Sequence, residues 1–216
     1  MKLIKPSYKI HTTDSEFERM LTNIEEAGRT CYKSEEKITN DSAKSFIEMI
    51  IKRGHESVLE HEKITVKFIC DRGVSHELVR HRIASYSQES TRYCNYSKDK
   101  FDNQLTFIIP EWLDLSDWDG IISVPSDDPK QIWLRSMHRS ELNYNRLIDQ
   151  GWQPQQARSI LPNSLKTEIM MTANLREFRE VFRQRTAKTA HPQMREIMIP
   201  LLNELKIKLP IIFDDI

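Results

Sequence analysis

Residues 80–92 read RHRIASYSQESTR. Three basic residues, Arg80, His81 and Arg82, are followed by hydroxyls at Ser85, Tyr86, Ser87, Ser90 and Thr91, and the run closes on Arg92. Planar guanidinium forks beside hydroxyl donors suit an anionic ligand, phosphate above all. A solvated charged face has a similar composition, so the surrounding chain decides between the two readings.

Upstream lies HESVLEHEKITVKFICDRG, residues 55–73. Ile64, Val66, Phe68 and Cys70 alternate with Thr65, Lys67 and Ile69, the period of a half-buried strand, and Gly73 ends it. In VSHELV, Val74 and Leu78 stand one helical turn apart. The pattern predicts the Arg80–Arg82 triplet on a short helix directly after a strand, with the serine-rich part in a loop beyond. A rigid element that delivers arginines into a loop is a sound way to build an anion site.

Residues 2–11 alternate loosely and predict one edge strand. Thr13 and Glu16 form a capping box, and Phe17, Met20, Leu21, Ile24 and Ala27 follow at helical spacing up to a stop at Gly28. Residues 30–40 are polar and predict a loop. Asp41 caps a second helix, with Phe46, Ile47, Ile50 and Ile51 on one stripe, ending at Gly54. Residues 92–97 and 104–109 read as strands, the latter stopped by Pro110. The acidic stretch 111–128 predicts an exposed connection. Asp128 and Pro129 start a long helix to about Gln150, Pro154 to Ile160 a short one, and SLKTEIMMTA a strand. Asn174 with Glu177 starts a helix that buries Leu175, Phe178, Val181 and Phe182, leaving Arg176, Arg179, Arg183 and Arg185 on its other faces. Pro192 begins a last helix, kinked at Pro200. The sum is a single α+β domain.

Composition narrows the function. The chain has 216 residues, and Lys plus Arg balance Asp plus Glu at 32 each. A chain this long buries roughly 70% of its surface without disulfides. The basic excess of a nucleic-acid-binding domain is missing, so a bound anion is small and locally recognised. Cys31, Cys70 and Cys94 are odd in number and lack CxxC spacing, which fits a reducing cytoplasm and packing roles for Cys70 and Cys94. The N-terminal stretch lacks the apolar core of a signal peptide. No run approaches the ~18 apolar residues that span a bilayer. Neither GxGxxG nor GxxxxGK[ST] occurs, so a bound nucleotide does without a Rossmann or P-loop cradle.

Among single residues, His55 and His61 are six apart, which no helix brings onto a common face, so a metal site is not expected. Ser90 lacks the GxSxG context of a nucleophile and reads as a phosphate donor. Arg80, Arg82, Arg92, Arg158, Arg176 and Arg185 come from separated segments and together suggest a pocket for phosphorylated small molecules.

The triplet, seven residues and a serine, Arg80-His81-Arg82 to Ser90, resembles the signature of the flavin-dependent thymidylate synthases. GHESVLEH before the strand, SQESTRY after the triplet, ARSILPNS at 157–164 and NLREFREVFRQR at 174–185 resemble further blocks of that family, in order from about residue 54 to 195. The resemblance implies that family's fold, α+β with a central, mostly antiparallel sheet flanked by helices, over a single domain at 1–216. It implies formation of dTMP from dUMP, with methylenetetrahydrofolate as carbon donor and NADPH as reductant, through bound FAD. It also implies a cytoplasmic homotetramer whose active sites are shared between subunits, and no metal.

Residue by residue, the resemblance gives FAD contacts to His55, Ser57, Arg80, His81, Arg82, Gln88, Asn174 and Arg176. It gives dUMP contacts to Glu77, Arg80, Gln88, Glu89, Ser90, Thr91, Arg92, Arg158 and Arg185, with Arg185 as the catalytic residue beside the uracil ring. Gln88 stands where many members carry glutamate, Glu77 where some carry glutamine, and Glu180 where some carry asparagine. Two other classes compete: a non-catalytic nucleotide- or RNA-binding module using the Arg80–Arg92 loop, and a metal-dependent nucleotide hydrolase using His55, His61 and His81.

Overall fold

The computed structural model describes residues 1–98, 102–123 and 127–216; residues 124–126 of the acidic connection lie outside them. Strands β1 (Lys2–Ile4) and β2 (Ser7–Ile10) lead into helices α1 (Asp14–Tyr32) and α2 (Ser42–Lys52). Strand β3 (Lys63–Asp71), helix α3 (Arg72–Leu78) and strand β4 (Ala84–Gln88) follow. Then come β5 (Thr106–Ile108), α4 (Pro129–Asp149), α5 (Pro154–Ala157), β6 (Lys166–Asn174), α6 (Leu175–Arg185), α7 (Pro192–Lys208) and α8 (Pro210–Phe213). Four strands make an antiparallel sheet in the order β2-β3-β6-β4, flanked by helices as the sequence predicts. β1 pairs with β5 in parallel, Lys2 opposite Thr106 and Ile4 opposite Ile108.

The chain divides into two compact units. Unit 1 holds Met1–Ser7, Ile69–Glu77 and Gln88–Ile169; unit 2 holds Tyr8–Phe68, Leu78–Ser87 and Met170–Ile216.

In unit 2, period-2 alternation buries Ile64, Val66 and Phe68 of β3 with Met171 and Ala173 of β6. On the half-exposed positions, Thr65 and Thr172 exchange a hydroxyl hydrogen bond of 2.9 Å across the two strands, a pairing that helps fix register. Thr13 and Glu16 close the predicted capping box at the start of α1. The helix does not stop at Gly28. It runs on to Tyr32 and ends with Lys33 in the left-handed region at φ 48. Gly28 serves a different need, because a Cβ there would lie 2.5 Å from the Phe46 ring. Its absence lets α1 approach α2. On α6, Phe178 and Phe182 lie 5.8 Å apart, and Phe182 meets Phe213 of α8 edge-on at 5.6 Å. α7 stays helical across Pro200; burial of Met194, Ile197, Met198, Leu201 and Leu205 offsets the ~3 kcal/mol that an internal proline costs.

Unit 1 is built on Tyr96, Leu105, Phe107, Met137, Tyr144, Ala157 and Leu165, with the Tyr96 and Tyr144 rings 6.0 Å apart. α4 starts as its sequence predicts, the Asp128 carboxylate accepting from the Lys130 N–H and Pro129 filling the first turn.

Four sequence expectations are corrected. Residues 2–11 form two strands in different sheets, since Pro6 has no N–H to donate to a ladder. The Arg80–Arg82 triplet lies in the turn after α3, which ends at Leu78. Ser85, Tyr86 and Ser87 of the serine-rich part lie on strand β4, an edge of the sheet, and only Ser90 and Thr91 fall in the turn beyond it. Residues 92–97 turn rather than extend, because the N–H groups of Tyr93 and Cys94 both donate to the Ser90 carbonyl, at 3.2 and 3.0 Å. Among the described residues, no helix is long and apolar enough to cross a membrane.

Candidate functional site

The triplet is held by its own strand. The Tyr86 hydroxyl, on β4, lies 2.7 Å from the Leu78 carbonyl and 2.8 Å from the His81 carbonyl, sharing its proton between them. Burial, followed by the nearby Glu177 carboxylate, pushes this phenol up to about 12, so it remains a donor at neutral pH. The pinned turn splits the triplet. Arg80 and Arg82 are exposed, whereas the His81 side chain turns inward and is 6% exposed.

His81 meets the end of α6. Arg185 Nε donates to His81 Nε2 at 2.9 Å, joining residues 104 apart in sequence. On the other side of the ring, Glu177 Oε1 lies 3.4 Å from Nδ1. Burial and then the Arg185 charge hold the imidazole below its usual range. Burial and then Glu180 hold the Glu177 carboxyl above its usual range.

Beside this cluster, Glu56, Glu60, Ile83, Asn174, Arg176, Glu177, Glu180 and Arg183 line a groove of about 390 Å³. Asn174 caps α6, its side chain accepting from the Glu177 N–H at 2.8 Å. Arg176 pairs with Glu60 at 2.5 Å. His55 and Ser57 are exposed at the turn before β3, with His55 Nδ1 2.6 Å from the Tyr32 hydroxyl. The predicted flavin residues of unit 2 therefore divide three ways: Asn174 and Arg176 line the groove, His81 is buried against Arg185, and Arg80, Arg82, His55 and Ser57 face solvent.

The predicted nucleotide residues Glu77, Gln88, Glu89, Ser90, Thr91, Arg92 and Arg158 fall in unit 1. Ser90 Oγ accepts from the Arg92 N–H at 3.2 Å. Arg158 Nη1 donates to the buried Thr91 hydroxyl at 3.2 Å, which brings one guanidinium to the Ser90–Thr91 turn. The Arg92 guanidinium lies 5.3 Å from the centre of the Tyr93 ring. Gln88 and Glu89 point differently. Gln88 Nε2 donates to Ser75 Oγ at 2.9 Å and Thr167 Oγ1 at 3.2 Å, and a glutamate could not donate there. The Glu89 carboxylate accepts from Lys166 at 3.0 Å and from the Tyr96 hydroxyl at 3.1 Å, which ties it to the unit's own framework. Glu77 is half-buried on α3. The groove and its neighbours do not gather His55, His61 and His81, and no cluster of metal-ligating side chains occurs among the described residues.

Two side chains escaped sequence reasoning. Glu177 reads from sequence only as a capping partner, and its carboxylate instead faces His81. Arg179 was expected on a polar face but is fully buried. It donates to both oxygens of Asp215, each at 2.7 Å, to Glu56 at 3.1 Å, and to the Ile212 carbonyl. Its place four residues after Leu175, on the buried stripe, was the available signal.

Exposed guanidiniums, a hydroxyl-bearing turn and a polar groove on an antiparallel α+β scaffold define a protein suited to anionic, nucleotide-like small molecules. The family described as "Thymidylate synthase complementing protein" matches residues 15–211. The "Flavin-dependent thymidylate synthase" of Geobacter sulfurreducens is 34% identical over 212 residues, 95% of this chain and 83% of that protein. That of Pyrococcus abyssi is 34% identical over 172 residues, 79% of this chain but 65% of the longer archaeal protein. The crystal structure of a UMP/dUMP methylase, PolB of Streptomyces cacaoi, bound with 5-Br dUMP, superposes with a TM-score of 0.73 at 22% identity, covering 99% of this chain and 96% of that one. This last likeness establishes the fold. The chain belongs to the flavin-dependent thymidylate synthase family.

Proposed function

We propose that this protein makes dTMP from dUMP, taking its carbon from methylenetetrahydrofolate and its reducing equivalents from NADPH through FAD. Beside the family membership, one observation carries the reading: Arg185 and the middle residue of the RHR triplet, far apart in sequence, share a hydrogen bond of 2.9 Å. The signature therefore acts with the end of α6 rather than alone.

The donor set of unit 2 fits a flavin dinucleotide. Arg80, Arg82 and Arg176 are exposed cations of the kind that hold a diphosphate. Two of the groove's carboxylates are already engaged, Glu56 by Arg179 and Arg183 and Glu60 by Arg176. The flavin supplies the redox chemistry when bound. His55, Ser57, Arg80, His81, Arg82, Gln88, Asn174 and Arg176 form its contact set. His81 and Gln88 act there through the groups they hold rather than as exposed donors.

Ser90, Thr91, Arg92 and Arg158 hold the dUMP phosphate, Glu77, Arg80 and Gln88 complete the proposed dUMP contact set, and Glu89 braces the turn through Lys166. Arg185 stands by the uracil ring. Its guanidinium favours negative charge accumulating on the pyrimidine and so raises the nucleophilicity of the carbon that receives the methylene unit. No enzyme nucleophile is needed.

The active enzyme is a cytoplasmic homotetramer with shared active sites, one functional domain per chain. Support comes from the apolar side chains exposed beside the site arginines, Ile83 at 68% and Tyr93 at 77%. The test is the visible spectrum of the purified protein, recorded with and without dUMP, followed by dTMP formation on addition of methylenetetrahydrofolate and NADPH. A flavin spectrum that dUMP perturbs, with turnover, is the expected result. A colourless protein that also fails to take up FAD overturns the reading.

A further inference from the structure

We propose that Glu177 is a positioning residue for Arg185, acting through His81: its carboxylate selects the imidazole tautomer that can accept the Arg185 Nε–H. The inference rests on the reading of Arg185 as the residue beside the uracil ring, and the argument begins with donor counting. A guanidinium has five N–H donors and no acceptor. The 2.9 Å contact between Arg185 Nε and His81 Nε2 therefore requires a lone pair on Nε2. Only the neutral ring with its proton on Nδ1 provides one. Glu177 Oε1 lies 3.4 Å from Nδ1, and negative charge that close to Nδ1 favours the tautomer with its proton there over its alternative.

The rest of the cluster keeps the ring from reorienting. The Tyr86 hydroxyl holds the His81 carbonyl at 2.8 Å, and the ring is almost wholly buried. Glu177 and Arg185 stand at opposite ends of α6, so a single imidazole ties both ends of the helix to the triplet. The arrangement also fails in a defined way. Protonating His81 turns both ring nitrogens into donors, and the Arg185 Nε–H loses its acceptor. The charged and titratable groups that face the ring are Glu177, Arg185, Glu180 and Tyr86. Of these, Glu177 and Glu180 favour protonation and Arg185 opposes it.

The test uses the full-length holoenzyme, wild type, Glu177→Ala and Glu177→Gln, with ¹⁵N-histidine spectra recorded alongside steady-state kinetics. Wild-type His81 is expected as the neutral Nδ1–H tautomer at neutral pH. In Glu177→Ala the tautomer preference is lost and kcat falls on the order of ten-fold, while KM for dUMP moves less than about two-fold. The acid limb of kcat shifts to lower pH, since the carboxylate that favours imidazolium is gone. Glu177→Gln keeps an acceptor for Nδ1–H and retains both the tautomer and most of kcat.

A wild-type His81 found as the Nε2–H tautomer or as imidazolium at neutral pH overturns the proposal without any variant. So does a Glu177→Ala enzyme with unchanged tautomer, whether or not kcat falls, or a Glu177→Gln enzyme as impaired as the alanine variant. Failure of the underlying reading looks different: Arg185→Ala would then keep full turnover while the tautomer shift in Glu177→Ala still appeared.

Discussion

Arg185 donates its Nε–H to His81, and its guanidinium is the group proposed to stand by the uracil ring. Arg185→Ala is expected to cut kcat by at least 10²-fold, the scale seen when one donor to developing charge is removed, with a change in melting temperature of only a few degrees. Arg185→Lys should recover little, because an ammonium does not reproduce the planar donor fork whose Nε–H reaches His81. Measuring kcat and thermal unfolding on the same preparations separates the two effects; unfolding without loss of activity per folded molecule would make Arg185 structural. At this scale the sequence was informative about identity and poor about direction. Spacing and family resemblance picked out Arg80, His81, Arg82 and Arg185. That the histidine turns inward while its neighbours turn out depends on Tyr86 and on helix α6, and no local pattern in RHR encodes it. Gln88 and Glu89 show the same gap. Their side chains are directed by Ser75, Thr167, Lys166 and Tyr96, partners spread over many residues of chain.

Helix α6 is the element that carries the site in unit 2, and the chain's final residues hold it. Arg179 is fully buried and meets Asp215 through both carboxylate oxygens. Asp215→Ala is expected to destabilise the protein by about 1–3 kcal/mol, since it removes a charged partner from a buried guanidinium that retains Glu56. The pH dependence follows from the direction of the shift. The Arg179 hydrogen bond holds the Asp215 carboxyl below its ordinary value. Its contribution is therefore present above the ordinary carboxylate range and is lost as pH falls through the lowered folded value. Urea titrations at neutral pH and near pH 3 should show a larger wild-type loss in acid than the Asp215→Asn variant suffers. A second element-level expectation concerns α1. Gly28→Ala gains helix propensity of about 1 kcal/mol but forces the Phe46 ring from a 2.5 Å contact, an overpacking that costs about 1–3 kcal/mol. The net outcome is a lowered urea midpoint. Elements with a strong period, β3, β6, α1 and α4, were legible. β4 was not, because Ala84–Gln88 has no apolar alternation and becomes a strand through its place on the sheet edge.

For the molecule as a whole, most of the proposed site residues divide by unit: the flavin set lies in unit 2 apart from Gln88, and the nucleotide set in unit 1 apart from Arg80 and Arg185. The boundary cuts the signature itself, between Ser87 and Gln88, so one continuous motif contributes residues to both proposed ligand sets. That division was visible in the sequence only once the blocks were matched, since composition alone reads residues 80–92 as a single phosphate clamp. It makes a testable separation of phenotypes. Arg158→Ala removes the donor that reaches Thr91 at 3.2 Å and should raise KM for dUMP by roughly 10- to 100-fold, the equivalent of one charge-assisted hydrogen bond, while leaving the flavin spectrum intact. Arg82→Ala should do the reverse, giving protein that loses flavin on desalting but regains activity in excess FAD. Thermal shifts report the same split. A ligand at a hundred times its Kd stabilises by about 2.7 kcal/mol, so saturating FAD should raise the melting temperature of Arg158→Ala as it does the wild type. At equal concentration it should raise that of Arg82→Ala much less. If both variants lose flavin and dUMP binding together, the two ligand sets are not separable, and the assignment of Arg80–Arg82 to flavin and Ser90–Arg92 to phosphate must be abandoned.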